Sequence, residues 1–276
     1  MLKEFIKKLR QFGKGEPSPV KTSKPKGETW SVLDIVSVIF RTVKLLLNVA
    51  FVFIFFGIVL GAGLGLGFAA SLFSDVSVPK QEELVSQVNK ISGISKLTYA
   101  NGELISEIDN DLLRIPVASD AISDNVKNAI IATEDENFET HNGVVPKAVL
   151  RATLGSVVGV GSSSGGSTLT QQLIKQQVVG DAPTFKRKAI EIVDALALER
   201  YMSKDDILTT YLNVAPFGRN NKGQNIAGVE EAAQGIFGVS AKDLSIPQAA
   251  FIAGLPQSPI VYSPYASDGS MKSPDD

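Results

Sequence analysis

The run LLLNVAFVFIFFGIVLGAGLGLGFAASLFS, residues 45–74, contains no charged side chain. An α-helix needs about 20 apolar residues to cross the hydrocarbon core of a bilayer, and this run is longer. A buried core helix would keep a polar stripe, and the apolar core of a cleaved signal peptide is about 7–15 residues long. The sequence therefore predicts one transmembrane helix at 45–74.

The charges that flank this run predict its orientation. Residues 1–44 carry ten Lys and Arg against four Asp and Glu, whereas the span is followed by Asp75, Lys80, Glu82 and Glu83. Cytoplasmic flanks of membrane helices carry the excess of basic residues. We expect a single-pass protein of the cell membrane with a cytoplasmic basic tail at 1–44, attracted to membrane lipid, and residues 75–276 on the extracellular side.

Composition narrows the function classes. The 276 residues are 44% hydrophobic, enough for a sizeable core, and the net charge of -2 gives no basic field for nucleic acid. The absence of cysteine and the single histidine, His141, exclude thiol nucleophiles, thiolate zinc sites and sites that need two imidazoles. Carboxylates become the expected catalysts.

Beyond the span, residues 75–120 are predicted to form a membrane-proximal linker with a small β hairpin. KLTYANGELISEI, residues 96–108, has the pattern of two strands joined by an Asn-Gly turn. Helical signals dominate from 121 onward, with capping patterns at Ser203 and Ser245 and a stop at Gly254 and Pro256.

Two segments predict chemistry. AIIATEDENFETHNG, residues 129–143, places carboxylates at a helix C-terminus, where the dipole disfavours their charged form and suits a general base; a solvated acidic helix end is the alternative. VGSSSGGSTLTQQLIKQQVV, residues 160–179, passes from a Gly/Ser stretch into a helix N-terminus, which can bind phosphate oxygens or be a mobile linker. The segment lacks the Gly-Lys-Ser/Thr of a nucleotide-binding loop.

A third segment, residues 184–201, has an apolar stripe of Ile190, Val193, Ala197 and Tyr201. Glu191 is predicted to lie off this stripe. Arg187 and Lys188, one turn before it, should keep it ionised.

Five motifs follow one another in order over residues 100–265. They are TEDENFETHNG, GGSTLTQQLIKQ, RKAIEIVDALALE, KDDILTTYLNVAPFG, and GVEEAAQGIFG with AAFIAGLPQSPIVYSP. Together they resemble the family 51 peptidoglycan glycosyltransferase domain of class A penicillin-binding proteins, in particular the 1B type of Gram-positive cocci. The resemblance implies a mainly α, lysozyme-like glycosyltransferase domain at 121–276 preceded by the one transmembrane helix.

The same resemblance implies roles for individual residues. Glu134 matches the catalytic base and Glu191 the second catalytic glutamate. The positions implied to bind substrate are Asp135, Phe138, Ser167, Thr168, Gln171, Gln172, Lys175, Arg187, Lys188 and Asn213. Two departures are Gln176, where the family often has asparagine, and the long polar stretch PFGRNNKGQNIAG.

The implied reaction joins lipid II into β-1,4-linked glycan strands with release of undecaprenyl diphosphate. Its partners are lipid II, the growing strand and membrane lipid, with cell-wall synthesis proteins as further candidates. A divalent cation such as Mg²⁺ at the pyrophosphate is expected as cofactor, with no organic cofactor and no metal site built by protein residues alone.

Two other functions fit parts of the sequence. A lytic transglycosylase or lysozyme-like hydrolase would share the fold and the glutamate, and a membrane-anchored scaffold would need neither. The cations and the membrane anchor favour synthesis. A transpeptidase KTG motif is missing, and Ser77–Lys80 and Ser123–Asn125 match its other two motifs by chance, so we expect a fragment cut before that domain.

Overall fold

The computed structural model describes residues 31–91, 95–100, 104–108, 112–149, 151 and 166–273. The chain divides into two compact units, Met1–Phe68 and Ala69–Asp276. The described part is mainly α-helical, with two short two-stranded antiparallel sheets. The expected predominance of helix is confirmed.

The first helix, α1, spans Val32–Ser74. Ser31 and Asp34 cap its start: Asp34 N donates to Ser31 Oγ at 3.2 Å, and Ser31 N donates to Asp34 Oδ2 at 3.1 Å. The helix thus begins thirteen positions before Leu45. The predicted start was placed where the charged residues end, whereas the cap at Ser31 sets the observed start. Residues 1–30 of the predicted tail lie outside the described residues.

Helix α1 has the dimensions and the surface of a membrane span. Its 43 residues extend about 64 Å at 1.5 Å per residue, more than the ~30 Å of bilayer hydrocarbon. Large apolar side chains such as Leu47 and Phe53 are 65% and 73% exposed. Among the described residues it is the one helix long and apolar enough to cross a membrane.

The predicted linker contains the expected hairpin and an additional helix. Strands β1, Ser95–Thr98, and β2, Leu104–Ile108, pair antiparallel as predicted. The Asn-Gly turn lies at 101–102, outside the described residues. Helix α2, Gln81–Val88, was not predicted, since eight residues show too few turns for a clear period; it buries Leu84 and Val88 in the core.

The remaining elements belong to the second unit. Its α-helices are α3 Asp124–Glu134, α4 Leu169–Ile174, α5 Phe185–Tyr201, α6 Lys204–Val214, α7 Val229–Ala232, α8 Ile246–Gly254 and α9 Pro259–Tyr262. Helices α4 and α7 continue into π turns at Lys175–Val179 and Ala233–Phe237. Short 3₁₀ turns occupy Ser119–Ala121, Ala241–Asp243 and Leu255–Gln257, and residues 146–149 are helical.

Strands β3, Pro216–Arg219, and β4, Asn225–Ala227, form the second antiparallel pair. The long polar stretch noted in the sequence is therefore a hairpin. Gly223 in its turn has φ +78, and a Cβ there would lie 2.2 Å from the Ser267 carbonyl oxygen, so only glycine fits.

Side-chain caps set where the helices start. Ser203 Oγ accepts from Asp206 N at 3.1 Å, and Ser245 with Gln248 forms a capping box, both as predicted. Thr168 caps α4 through a capping box with Gln171. Ser123 caps α3, so the Ser-x-Asn pattern at 123–125 has a local structural role.

The core holds the site's helices together. Helix α4 packs against α5 and α6, and α3 packs against α8. Leu173 on α4, Leu198 on α5 and Leu212 on α6 are fully buried. Burial of each such side chain stabilises the fold by about 1.5–3 kcal/mol. This packing brings the C-terminus of α3 beside the N-terminal part of α4.

Candidate active site

Glu134 is the last residue of α3 and is half-buried. Its Oε2 accepts a hydrogen bond from Gln172 Nε2 at 2.8 Å, across from α4. The predicted base and one predicted substrate-binding residue are therefore in direct contact. The amide presents its donor side to the carboxylate of Glu134.

The next residue, Asp135, turns away from Glu134. Its Oδ2 lies 2.8 Å from His141 Nε2 and accepts from Leu169 N, in the first turn of α4, at 2.9 Å. Gly143 N donates to His141 Nδ1 at 3.0 Å, so the ring carries its proton on Nε2 and donates to Asp135. Asp135 joins the acidic loop, residues 135–143, to α4, and the predicted contact of Asp135 with substrate stays a prediction.

Phe138 is fully buried. The ring stacks edge-on to His141, and Lys204 Nζ lies 4.4 Å from its centroid. Lys204 Nζ also donates to the His141 carbonyl and to Glu199 Oε1, each at 2.8 Å. Phe138 is thus a core residue under the acidic loop, and its predicted substrate contact stays a prediction.

Glu191 lies 1% exposed, so the prediction that it sits off the buried face is wrong. Arg187 Nη1 donates to its Oε2 at 2.5 Å, and Lys188 Nζ donates to its Oε1. Gln171 Nε2 donates to Oε1 at 3.3 Å. Burial is possible because two cations and an amide replace the water around the carboxylate.

Two more predicted residues complete this cluster. Lys188 Nζ donates to Ser167 Oγ at 2.9 Å. Thr168 is buried, and its Oγ1 donates to the Gly143 carbonyl at 2.6 Å. Ser167 therefore borders the cations, whereas Thr168 and Gln171 are buried and hold the start of α4 in place.

The cluster around Glu191 keeps spare positive charge and donors. Two cations face one carboxylate, and Arg187 Nε, buried, has no hydrogen-bond partner among the described residues. Lys175, at the C-cap of α4, pairs with Asp181 at 2.6 Å. Hydrogen bonding and charge attraction from Lys175 lower the pKa of the Asp181 carboxyl, and both side chains are well exposed.

Asn213 does not contact this cluster. Its Nδ2 donates to the Val117 carbonyl at 2.8 Å, and Val117 N donates to its Oδ1 at 2.9 Å. Both ends of the amide are occupied and the side chain is buried. Asn213 joins the segment before α3 to α6, and its predicted substrate contact stays a prediction.

The donor set does not form a metal centre. In the described ranges no group of three or more His, Asp and Glu side chains is placed to hold an ion, and both oxygens of Glu191 are occupied by cations. The expected Mg²⁺ stays a prediction, and no chemical step is derived through it.

Sequence reasoning missed three side chains at this site: Tyr211, Glu199 and Lys204. Tyr211 stands two positions before Asn213 in the quoted YLN motif, which was the available signal. Glu199 lies near the end of α5 and Lys204 is the first residue of α6. Nothing in their spacing indicates a contact with the acidic loop.

A second buried carboxylate, Asp194, lies one turn beyond Glu191 on α5. It is 5% exposed, and burial raises its pKa to about 6. The unfolded chain has an ordinary Asp pKa near ~3.9, so the folded state retains this proton to higher pH. The free energy of unfolding therefore falls as pH rises from about 4 to about 6 and stays lower above that.

We expect Asp194→Asn to remove this penalty. The free energy of unfolding should rise by about 1–3 kcal/mol at pH 8 and change little at pH 4, because the protonated acid and the amide are both neutral. Thermal unfolding of the full chain across this range measures it, with the exposed Asp75→Asn as control. An equal effect at both pH values would contradict the assignment.

Comparison with known proteins gives the family. Residues 101–274 match the Transglycosylase family. Penicillin-binding protein 1A of Clostridium botulinum (strain Langeland / NCTC 10281 / Type F) is 38% identical over 235 residues, 84% of this chain and 27% of that protein. The 1A protein of Streptococcus oralis is 35% identical over 224 residues, 80% of this chain and 33% of that protein.

Penicillin-binding protein 1F of Bacillus subtilis (strain 168) is 34% identical over 199 residues, 72% of this chain and 26% of that protein. The chain spans a third or less of the length of these three relatives. The matched residues include almost all of the domain predicted at 121–276. The chain belongs to the transglycosylase family.

Proposed function

We propose that this chain polymerises lipid II into β-1,4-linked glycan strands at the membrane and releases undecaprenyl diphosphate. The observation that carries the proposal is the pairing of a half-buried carboxylate, Glu134, held by an amide donor, with a separate cluster that keeps excess positive charge around Glu191. A hydrolase needs the carboxylate but has no pyrophosphate to neutralise.

The reaction proceeds with inversion. Glu134 takes the proton from the 4-hydroxyl of the acceptor's N-acetylglucosamine as that oxygen attacks the anomeric carbon of the donor's N-acetylmuramic acid. The bond from that carbon to the pyrophosphate oxygen breaks, and its electron pair leaves with the lipid pyrophosphate. Arg187, Lys188 and Lys175 stabilise the charge that develops there, while Glu191 orients the first two.

Incubation of the purified full chain with lipid II tests the proposal. Polymer resolved by gel electrophoresis is the expected product, with the Glu134→Gln variant as control. Cleavage of preformed glycan strands without polymerisation would indicate a hydrolase, and neither reaction would indicate a scaffold. Both results would overturn the proposal.

The basic residues give a separate prediction. Lys175→Ala and Arg187→Ala should each lower turnover by about 10- to 100-fold, the scale of a lost charged hydrogen bond. Initial rates of polymerisation measure this. Lys186→Ala removes an exposed lysine from the same helix as Arg187 and should have the wild-type rate. Wild-type rates in both test variants would place the pyrophosphate elsewhere.

We also propose that α1 spans the membrane with residues 1–44 inside and 75–276 outside. The ten basic residues before the uncharged run support this orientation. Protease added to intact spheroplasts should digest 75–276 and leave 1–44 protected. Protection of the C-terminal part instead would place the site on the wrong side for the proposed substrate.

The narrower expectation, the 1B type of Gram-positive cocci, stays a prediction, because the relatives above carry the names 1A and 1F. A role for cell-wall synthesis proteins as partners likewise stays a prediction.

A further inference from the structure

A fully buried tyrosine is connected to the carboxylate of Glu134 through one intervening side chain. Tyr211, on α6, is 0% exposed, and its hydroxyl donates to Gln172 Oε1 at 3.2 Å. Gln172 Nε2 in turn donates to Glu134 Oε2 at 2.8 Å. Three side chains from α6, α4 and α3 thus form one chain of hydrogen bonds that ends on the base.

Chemistry fixes the direction of this chain. An amide oxygen can only accept, so the bond to Gln172 Oε1 requires the Tyr211 hydroxyl to donate. Burial, and secondarily the charge of Glu134, raises the pKa of Tyr211 above its usual value, so the phenol keeps the proton it donates. With its oxygen committed to Tyr211, the amide of Gln172 must turn its NH₂ group toward Glu134.

Without the hydroxyl, Gln172 could flip its amide, since the two ends have nearly the same shape. The flipped amide would place its oxygen against the carboxylate, which repels the ionised form of Glu134. The Tyr211 hydroxyl therefore selects the amide orientation that supports the ionised base.

We propose that Tyr211 is a positioning residue that acts on the base through Gln172. By holding the amide donor on Oε2, it leaves Oε1 of Glu134 free for the proton of the acceptor hydroxyl. This inference rests on the proposed function, in which Glu134 is the general base.

The Tyr211→Phe variant tests it, because only one oxygen is lost and the ring still fills the core. In the full chain, kcat for lipid II polymerisation should fall about 3- to 10-fold with KM unchanged, the scale of one neutral hydrogen bond. The acidic limb of the kcat–pH profile should move to higher pH by about half a unit to one unit. The neighbouring Asp135 and His141 contact each other, Leu169 N and Gly143 N, and neither is part of the hydrogen-bond chain from Tyr211 to Glu134.

Tyr201→Phe is the matched control. Tyr201 is also a helical tyrosine whose hydroxyl donates to a single acceptor, the Pro79 carbonyl at 3.2 Å, and it does not contact Glu134 or Gln172. Its kcat and pH profile should be those of wild type. Equal changes in the two variants would mean a general effect on the fold, and wild-type behaviour of Tyr211→Phe would mean no positioning role; either overturns the inference.

A double variant separates positioning from any independent effect. If Tyr211 acts through Glu134, adding Tyr211→Phe to Glu134→Gln should lower the residual rate by less than twofold, since there is no base left to orient. A further 3- to 10-fold loss would overturn the inference. If Tyr211→Phe does not fold, Gln172→Met replaces it as the test. The acidic limb of its kcat–pH profile should move in the same direction, and an unmoved limb would overturn the inference.

The proposed function fails on a different result. Wild-type polymerisation by Glu134→Gln would remove Glu134 as base and the inference with it. If Glu134→Gln loses polymerisation and Tyr211→Phe has the wild-type rate, the inference is wrong and the proposed function stands.

Discussion

Glu134→Gln should bind lipid-linked substrate normally and lose at least ~10²–10⁴-fold in polymerisation rate, the loss typical of a missing general base. Glutamine keeps the shape and can still accept the hydrogen bond from Gln172 Nε2 that the structure shows at 2.8 Å. It cannot accept a proton at neutral pH, so the defect should appear in kcat. Initial rates and substrate affinity from pH 6 to 8 measure both effects.

Glu139→Gln is the control for this variant. Glu139 lies in the same acidic loop but is exposed, and its side chain is not part of the hydrogen bonds described at the site. It should polymerise at the wild-type rate. If Glu134→Gln also does so across the whole pH range, another group removes the proton and the proposed mechanism is wrong.

The predictions from sequence succeeded where local chemistry decides the structure. Ser203 and Ser245 cap the helices that their spacing predicts, since a capping side chain and the residue it pairs with lie within one turn. Glu134 was predicted near the end of a helix because the apolar helical run before it stops there, which is also a local pattern. The resemblance to the glycosyltransferase family then indicated which residues belong to one site.

The direction of a side chain could not be predicted from sequence where it depends on distant partners. Asn213 faces the backbone of Val117, 96 positions earlier, and no local pattern reports that contact. A motif match likewise names Phe138 and Gln171 without showing that they point into the core. A motif gives the position of a residue within the family, but the direction of its side chain is known only from the fold.

Glu191 shows why a buried charge is hard to predict. The apolar stripe predicts one buried face of α5 and places Glu191 off it. In the structure Arg187 and Lys188, at i−4 and i−3, accompany it inward, so the cations that were predicted to keep it ionised are also what makes its burial possible.

Glu191→Gln should therefore affect both the fold and the substrate. The amide keeps the volume but removes the counter-charge, which leaves Arg187 and Lys188, with side chains 17% and 32% exposed, free to turn toward solvent. We expect the free energy of unfolding to fall by about 1–3 kcal/mol and kcat/KM to fall by about 100-fold, with part of the loss in KM.

A buried carboxylate remote from the proposed chemistry separates these two effects. Glu230 is 7% exposed and its Oε2 accepts from Ala241 N at 2.8 Å, so Glu230→Gln should lower stability while KM stays at the wild-type value. Chemical denaturation and steady-state kinetics on both variants give the comparison. Because the two cations around Glu191 are proposed to bind the pyrophosphate, only the Glu191 variant should raise KM. An unchanged KM there would confine Glu191 to holding α5 and α4 together through Gln171.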